Sequence, residues 1–181
     1  RPYKSIFISL SGLSLSAVLI FAGFNMFNTL NDLKSSWHNY TESAIKRTEI
    51  LSELQTQLGY GGLIHNFKNY ILRQDESRIT TIEANFHAID SLIFQYQQLA
   101  INEKEKQYLY DILQVTQNYK GKFEFAKHLI KTQKILPNKL DKLITVNDKP
   151  ALNALAQLSA SIREHRDIIK KHSDDKVATM Q

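Results

Sequence analysis

Between Tyr60 and Arg73 the chain reads YGGLIHNFKNYILR, and this is its densest run of donor side chains. His65, Asn66, Lys68, Asn69, Tyr70 and Arg73 fall within a short helical stretch, while Ile64, Phe67 and Ile71 keep one side apolar. On a helix, His65, Lys68 and Asn69 share a side by i, i+3 and i+4 spacing. Asn66, Asn69, Tyr70 and Arg73 share the adjacent one. No Asp or Glu occurs between Glu53 and Asp75. A run rich in donors and free of acids suits an anionic ligand, such as a carboxylate or an inorganic anion, through charge-assisted hydrogen bonds. The alternative is a solvated helix face beyond a glycine bend.

Two further cations stand where apolar residues are expected. Arg47 interrupts a seam running Leu30, Leu33, Trp37, Tyr40, Ala44, Arg47, Leu51, Leu54, Leu58, and Arg166 interrupts a stripe of Leu152, Leu155, Ile162 and Ile169. A charge on such a seam is costly to bury without a partner. Either both side chains snorkel to the edge, or they meet an acidic ligand between helices. Arg47, Tyr60, His65, Asn66, Lys68, Asn69, Arg73 and Arg166 are therefore the candidate ligand-binding residues. Gly59, Gly61 and Gly62 form a hinge that aims Tyr60 and His65, because three glycines in four residues weaken a helix. Leucines at positions 61 and 62 are expected to straighten this bend and to alter signalling more than folding.

Catalytic signatures are missing. The chain has no cysteine, no nucleophile elbow, no phosphate-binding glycine loop and no HExxH pair. No enzymatic activity is expected of this stretch. The six histidines, His38, His65, His87, His128, His165 and His172, are scattered. No cofactor and no metal site is expected; His65, because of its neighbours, is the one histidine at which a metal or haem stays open. The net charge of +5 is spread along the chain without a Lys/Arg block, so no nucleic-acid partner is expected.

The elements that must position these residues are helices. Gly and Pro number only 6 and 3 in 181 residues, and the apolar residues follow 3-4 spacing. Breaks are expected at Gly59 to Gly62, with local loosening at Gln74-Asp75-Glu76. Asn102 with Glu105 reads as a capping box. Pro137-Asn138 breaks the chain, a short helix follows within Leu140 to Leu143, and Asp148 precedes a first-turn proline. The expected fold is all-α: an N-terminal transmembrane helix continuing into an elongated up-down-up-down four-helix bundle.

Ser5 to Asn31 carries no charge. Its length suits a retained membrane anchor better than a cleaved signal peptide, since Phe21, Phe24, Met26 and Phe27 stand where a cleavage site should lie. The expected division is a cytoplasmic stub at 1–4, a transmembrane helix at 5–30 and an extracytoplasmic sensor domain at 31–181. Arg1 and Lys4 orient the anchor, which places a single-pass protein in a bacterial inner membrane with its bundle in the periplasm. The chain reads as a piece of a longer protein, with a second membrane helix and an output domain expected beyond Gln181.

GYGGLIHNFKNYILR, from Gly59 to Arg73, together with VNDKPALNALAQL, from Val146 to Leu158, resembles the periplasmic helical sensor region of bacterial transmembrane receptors. These motifs cover a small part of the chain. The resemblance implies a homodimeric signal-transduction receptor, foremost a methyl-accepting chemotaxis protein, with a diguanylate cyclase or histidine kinase output as the alternative. It implies a small-molecule ligand but no ligand residues beyond those argued above. A membrane-anchored structural coiled coil is a further alternative; Arg47, Arg166 and the glycine cluster argue against it.

Overall fold

The computed structural model describes the backbone of residues 3–178, and the side chains within it except those of 3–15, 17, 36, 39, 40, 165, 169 and 172–178. It contains six helices and, among the described residues, no strand. They are α1 (Tyr3–Leu58), α2 (Leu63–Arg73), α3 (Arg78–Gln97), α4 (Glu103–Gln133), α5 (Pro137–Leu143) and α6 (Lys149–Ala178). The chain divides into two compact units, Arg1–Ser43 and Ala44–Gln181. Helix α1 is continuous through the boundary.

The second unit is built on apolar stripes. On α4 the buried residues are Leu109, Ile112, Val115, Tyr119, Phe123, Ala126 and Leu129, at steps of 3 and 4. That spacing keeps one face inward along about six turns of helix. Tyr108 is half-buried, and Leu109 takes the core position. Helix α6 packs along α4 through Ala151, Ala154, Leu155, Leu158 and Ile162. Two alanines at the contact let the helix backbones approach, and Leu152 is turned outward. Helix α1 contributes Ile50, Leu51, Leu54 and Leu58 to the same core.

Helices α2 and α3 are separate elements, not one loosened helix. Gln74 adopts the left-handed conformation (φ 51°) and its N–H donates to Tyr70 O at 2.8 Å, closing α2. Asp75 accepts from the backbone and hydroxyl of Ser77 and pairs with Arg78 at 3.5 Å. These hydrogen bonds from Ser77, and then Arg78, hold the Asp75 carboxyl below its usual range. The chain reverses there, so that Asn66 on α2 meets Asn85 on α3 at 3.2 Å. Aromatic edges then bring both helices onto α4: Phe67 on Tyr119 at 5.0 Å, Tyr70 on Phe123 at 5.4 Å and Phe86 on Phe123 at 6.0 Å between ring centroids.

The expected start signals are present. The Asn102 side chain accepts from Glu105 N at 2.9 Å, and Glu105 Oε2 accepts from Asn102 N at 3.0 Å. Pro150 stands in the first turn of α6 and Pro137 opens α5.

The single-pass membrane reading is corrected here. Among the described residues, no helix is long and apolar enough to cross a membrane. Residues 5–15, the start of the expected span, lie outside the described side chains, as do Arg1 and Lys4. From Ser16 onward the apolar run reaches only Phe24 before Asn25, Asn28, Asn31 and Asp32 enter, whereas a span needs about 20 apolar residues. The inner-membrane and periplasmic placement loses its basis with it.

The seam from Leu30 to Leu58 is not of one kind. Arg47, Leu51, Leu54 and Leu58 are buried in the second unit, but Leu30 and Trp37, in the first, are exposed. Tyr40 and Ile169, each placed on a seam by the sequence, have side chains outside the described set, as have His165 and His172.

Three buried tyrosines make the second unit alkali-sensitive. Burial, reinforced by Asp148, pushes the Tyr119 hydroxyl up to about 12. Burial also raises Tyr96, with Glu105 adding to the effect, and Tyr70. A group whose pKa is raised by folding contributes stability that is complete below its unfolded value of 10.0 and is lost as pH rises through the folded value. Stability should therefore fall steadily from pH 10 to pH 12. Tyrosinate absorbance and helical circular dichroism, followed together, check this. Complete tyrosine ionisation with helicity intact would contradict it.

Candidate functional site

Seven of the eight sequence candidates fall in three surroundings, and Arg166 stands apart from them. Arg47 is buried, 5% exposed, and is no ligand-facing cation. Its Nη1 donates to Glu105 Oε1 at 2.9 Å and its Nη2 to the carbonyl of Ala100. The same Glu105 Oε1 accepts from Tyr96 Oη and from Ser161 Oγ, each at 3.3 Å. One buried carboxylate thus ties α1, α3, α4 and α6 together. Glu105 is 1% exposed, and its charge is compensated by Arg47, as burial of an ion requires.

Asn66 lies in a second buried cluster at the glycine bend. Its amide donates to Gly61 O at 3.0 Å and to Asn85 Oδ1 at 3.2 Å, and its Oδ1 accepts from Arg78 Nη1 at 3.3 Å. Asn85 in turn donates to Gln57 Oε1 at 2.7 Å. Both amide ends of Asn66 are committed, so it acts as a brace joining α1, α2 and α3. Arg47 precedes Gln57 by ten residues, about 15 Å along a helix. The two clusters are separate, and Arg47 does not face the α2 donors.

Tyr60, His65, Lys68, Asn69 and Arg73 form the third group. Tyr60 is 93% exposed and its ring lies 4.8 Å from that of His65. Asn69 Nδ2 sits 2.8 Å from His65 Nε2 and also donates to His65 O at 3.0 Å. Lys68 pairs with Asp141 of α5. The acid missing from the local sequence is therefore supplied across space, 73 residues further along. Arg73 is exposed at the end of α2, and Arg166 is exposed on α6, far along the chain from the α2 group. The Lys68 pair is partly solvated, so Asp141→Asn should cost below about 1 kcal/mol in a denaturant melt. A larger loss would mean that the contact of α5 with α2 depends on this pair.

The glycines differ in role. Gly61 has φ +89° and open space around it, so its conformation is the constraint. At Gly62 a Cβ would stand 2.3 Å from Gln57 O and 2.4 Å from Thr56 O. The bend is thus a close backbone crossing rather than a weakened helix. Leucine at position 62 cannot be accommodated without moving α1 or α2, so the expectation that a double leucine change spares folding is corrected.

A fourth feature has no counterpart in the sequence reading. An open groove of about 510 Å³ runs between the start of α4 and the middle of α6. Asn102, Glu103, Lys104 and Tyr108 line one side; Gln157, Ala160, Ser161 and Glu164 line the other. Ser161 belongs both to this wall and to the buried Glu105 cluster. Glu105, Tyr96 and Ser161 were missed as a functional group. Arg47 on an apolar seam signals that a buried acid exists, but not which of many. Among the described residues, no group of three His, Asp or Glu is placed to hold a metal ion.

No family model, curated protein or solved structure matches the chain. Its function therefore has to be argued from its own geometry.

Proposed function

We propose that this chain is a ligand-responsive input domain of a signalling receptor. In this reading the end of α1 with α3, α4 and α6 forms an up-down-up-down four-helix bundle. Helix α2 and the short α5 cap it, and α1 carries the response out of the compact unit. Its kind would be the input region ahead of a chemotaxis signalling domain, or ahead of a diguanylate cyclase or histidine kinase. Two copies would pair through the seam of α1 that carries the exposed Leu30 and Trp37 and the half-buried Leu33.

The observation that carries the reading is the Arg47–Glu105 pair. It is buried, it lies three residues past the boundary at Ala44, and it fixes α1 against three other helices. A buried ion pair adds little net stability compared with an apolar pair. What it specifies is register: α1 can slide or rotate only if the pair breaks or re-forms. Such a contact gives a packed helix two discrete positions, which a ligand with different affinity for each can bias.

The test uses the absence of native cysteine. Spin labels at Lys46→Cys and Gln114→Cys, both exposed, report the distance between α1 and α4. A small-molecule library is screened by melting shift, and the stabilising compounds are then examined by pulsed electron resonance. The expected result is a shifted distance distribution that is lost when Arg47→Met and Glu105→Leu are combined. Distances that stay fixed with every stabilising compound, or a library without one, would overturn the reading.

A further inference from the structure

The geometry points to the α4–α6 groove as the binding site of a small organic amine, acting on the Arg47–Glu105 pair through Ser161. The inference rests on the input-domain reading for its consequence, but not for the site itself. At about 510 Å³ the groove is of the size that takes small molecules. Its walls carry two carboxylates, Glu103 and Glu164, against one ammonium, Lys104. Glu103 already pairs with Lys106 at 2.6 Å. Glu164, Tyr108 and Gln157 make no hydrogen bond or ion pair among the described residues. A free carboxylate, a half-buried phenol ring and a free amide oxygen are together the partners of an alkylammonium. The carboxylate supplies charge-assisted hydrogen bonds, the ring face attracts a cation, and the amide oxygen accepts a further N–H. An anion would meet the Glu164 carboxylate with Lys104 as the one cation in the lining to hold it. A bare metal ion is a poorer fit, since among the described residues no three acidic or imidazole ligands converge.

Ser161 supplies the coupling. Its hydroxyl donates to Glu105 Oε1 at 3.3 Å, a long bond from the wall of the groove. An amine that reorients Ser161 withdraws one of the three donors on that oxygen, so Glu105 draws more heavily on Arg47 and Tyr96. Occupancy of the groove is then felt on α1, which the groove does not touch.

The experiment titrates the full chain with 1,4-diaminobutane and with ethanolamine, using acetate and inorganic phosphate as anionic controls, by calorimetry and melting shift. Saturable one-site binding of an amine is expected, weakened about tenfold or more in Glu164→Gln and weakened in Tyr108→Leu, with Lys68→Met binding as wild type. Binding of the anions alone, or amine binding unaltered in both groove variants, would overturn the assignment. The labels on α1 and α4 separate the two proposals. An amine that binds through Glu164 without moving that distance leaves the site standing and removes its signalling role. A distance that responds to other compounds while no amine binds does the reverse.

Discussion

Replacing Glu105 by alanine is expected to lower the free energy of unfolding by about 3–5 kcal/mol, the range found when one partner of a buried ion pair is removed. The change leaves the Arg47 guanidinium, itself 5% exposed, without its counter-charge. It also removes the acceptor of Tyr96 and Ser161 and half of the capping box on α4. Glu105→Gln keeps the shape and a capping acceptor, so it isolates the charge, and most of the loss should persist. Combining Arg47→Met with Glu105→Leu should recover much of the stability, because neither charge is then buried. Urea melts of the single and paired variants test this as a cycle. If the single changes cost below about 1 kcal/mol, in the range of solvated pairs, the pair is not the dry contact described above.

The second large effect belongs to Gly62. Alanine there should cost about 3 kcal/mol or more, the upper end for forced overpacking, because the new methyl meets two backbone carbonyl oxygens at 2.3 and 2.4 Å. Backbone cannot swing aside as a side chain can. Relief requires the end of α1 to part from the start of α2, and the Gln57–Asn85–Asn66 brace spans that junction. Gly61→Ala is strained by its positive φ alone and has free space, so it should cost less, about 1 kcal/mol. The order of the two melting temperatures is the check; a Gly61 variant that melts lower than the Gly62 variant would contradict the crossing.

Much of the local structure was legible in the sequence for physical reasons that act over a few residues. The 3-4 spacing of Ile112, Val115 and Tyr119 fixes a helix whatever it packs against. Asn102 and Glu105 satisfy their own helix start, and three glycines near Tyr60 end the preceding helix. The interruption at Arg47 was legible as well, since a cation on a leucine seam demands an answer.

What answers it was not legible. Whether Arg47 meets a ligand, the solvent or an acid depends on which helix crosses it, and Glu105 stands 58 residues away. Lys68 looked uncompensated because its acid, Asp141, comes from α5, and Asn66 looked open to a ligand because Asn85 reaches it only after the chain reverses at Gln74. The groove is the extreme case: Tyr108 and Glu164 belong to no motif, and only the packing of α4 on α6 brings them to one cleft. Sequence alone determined that the chain is helical, and where α4 starts and α1 stops, because backbone hydrogen bonding and side-chain periodicity are local. Tertiary structure alone decided which charges are neutralised and where a ligand has room, because charge pairing and cavities are properties of surfaces that meet only after the chain has folded.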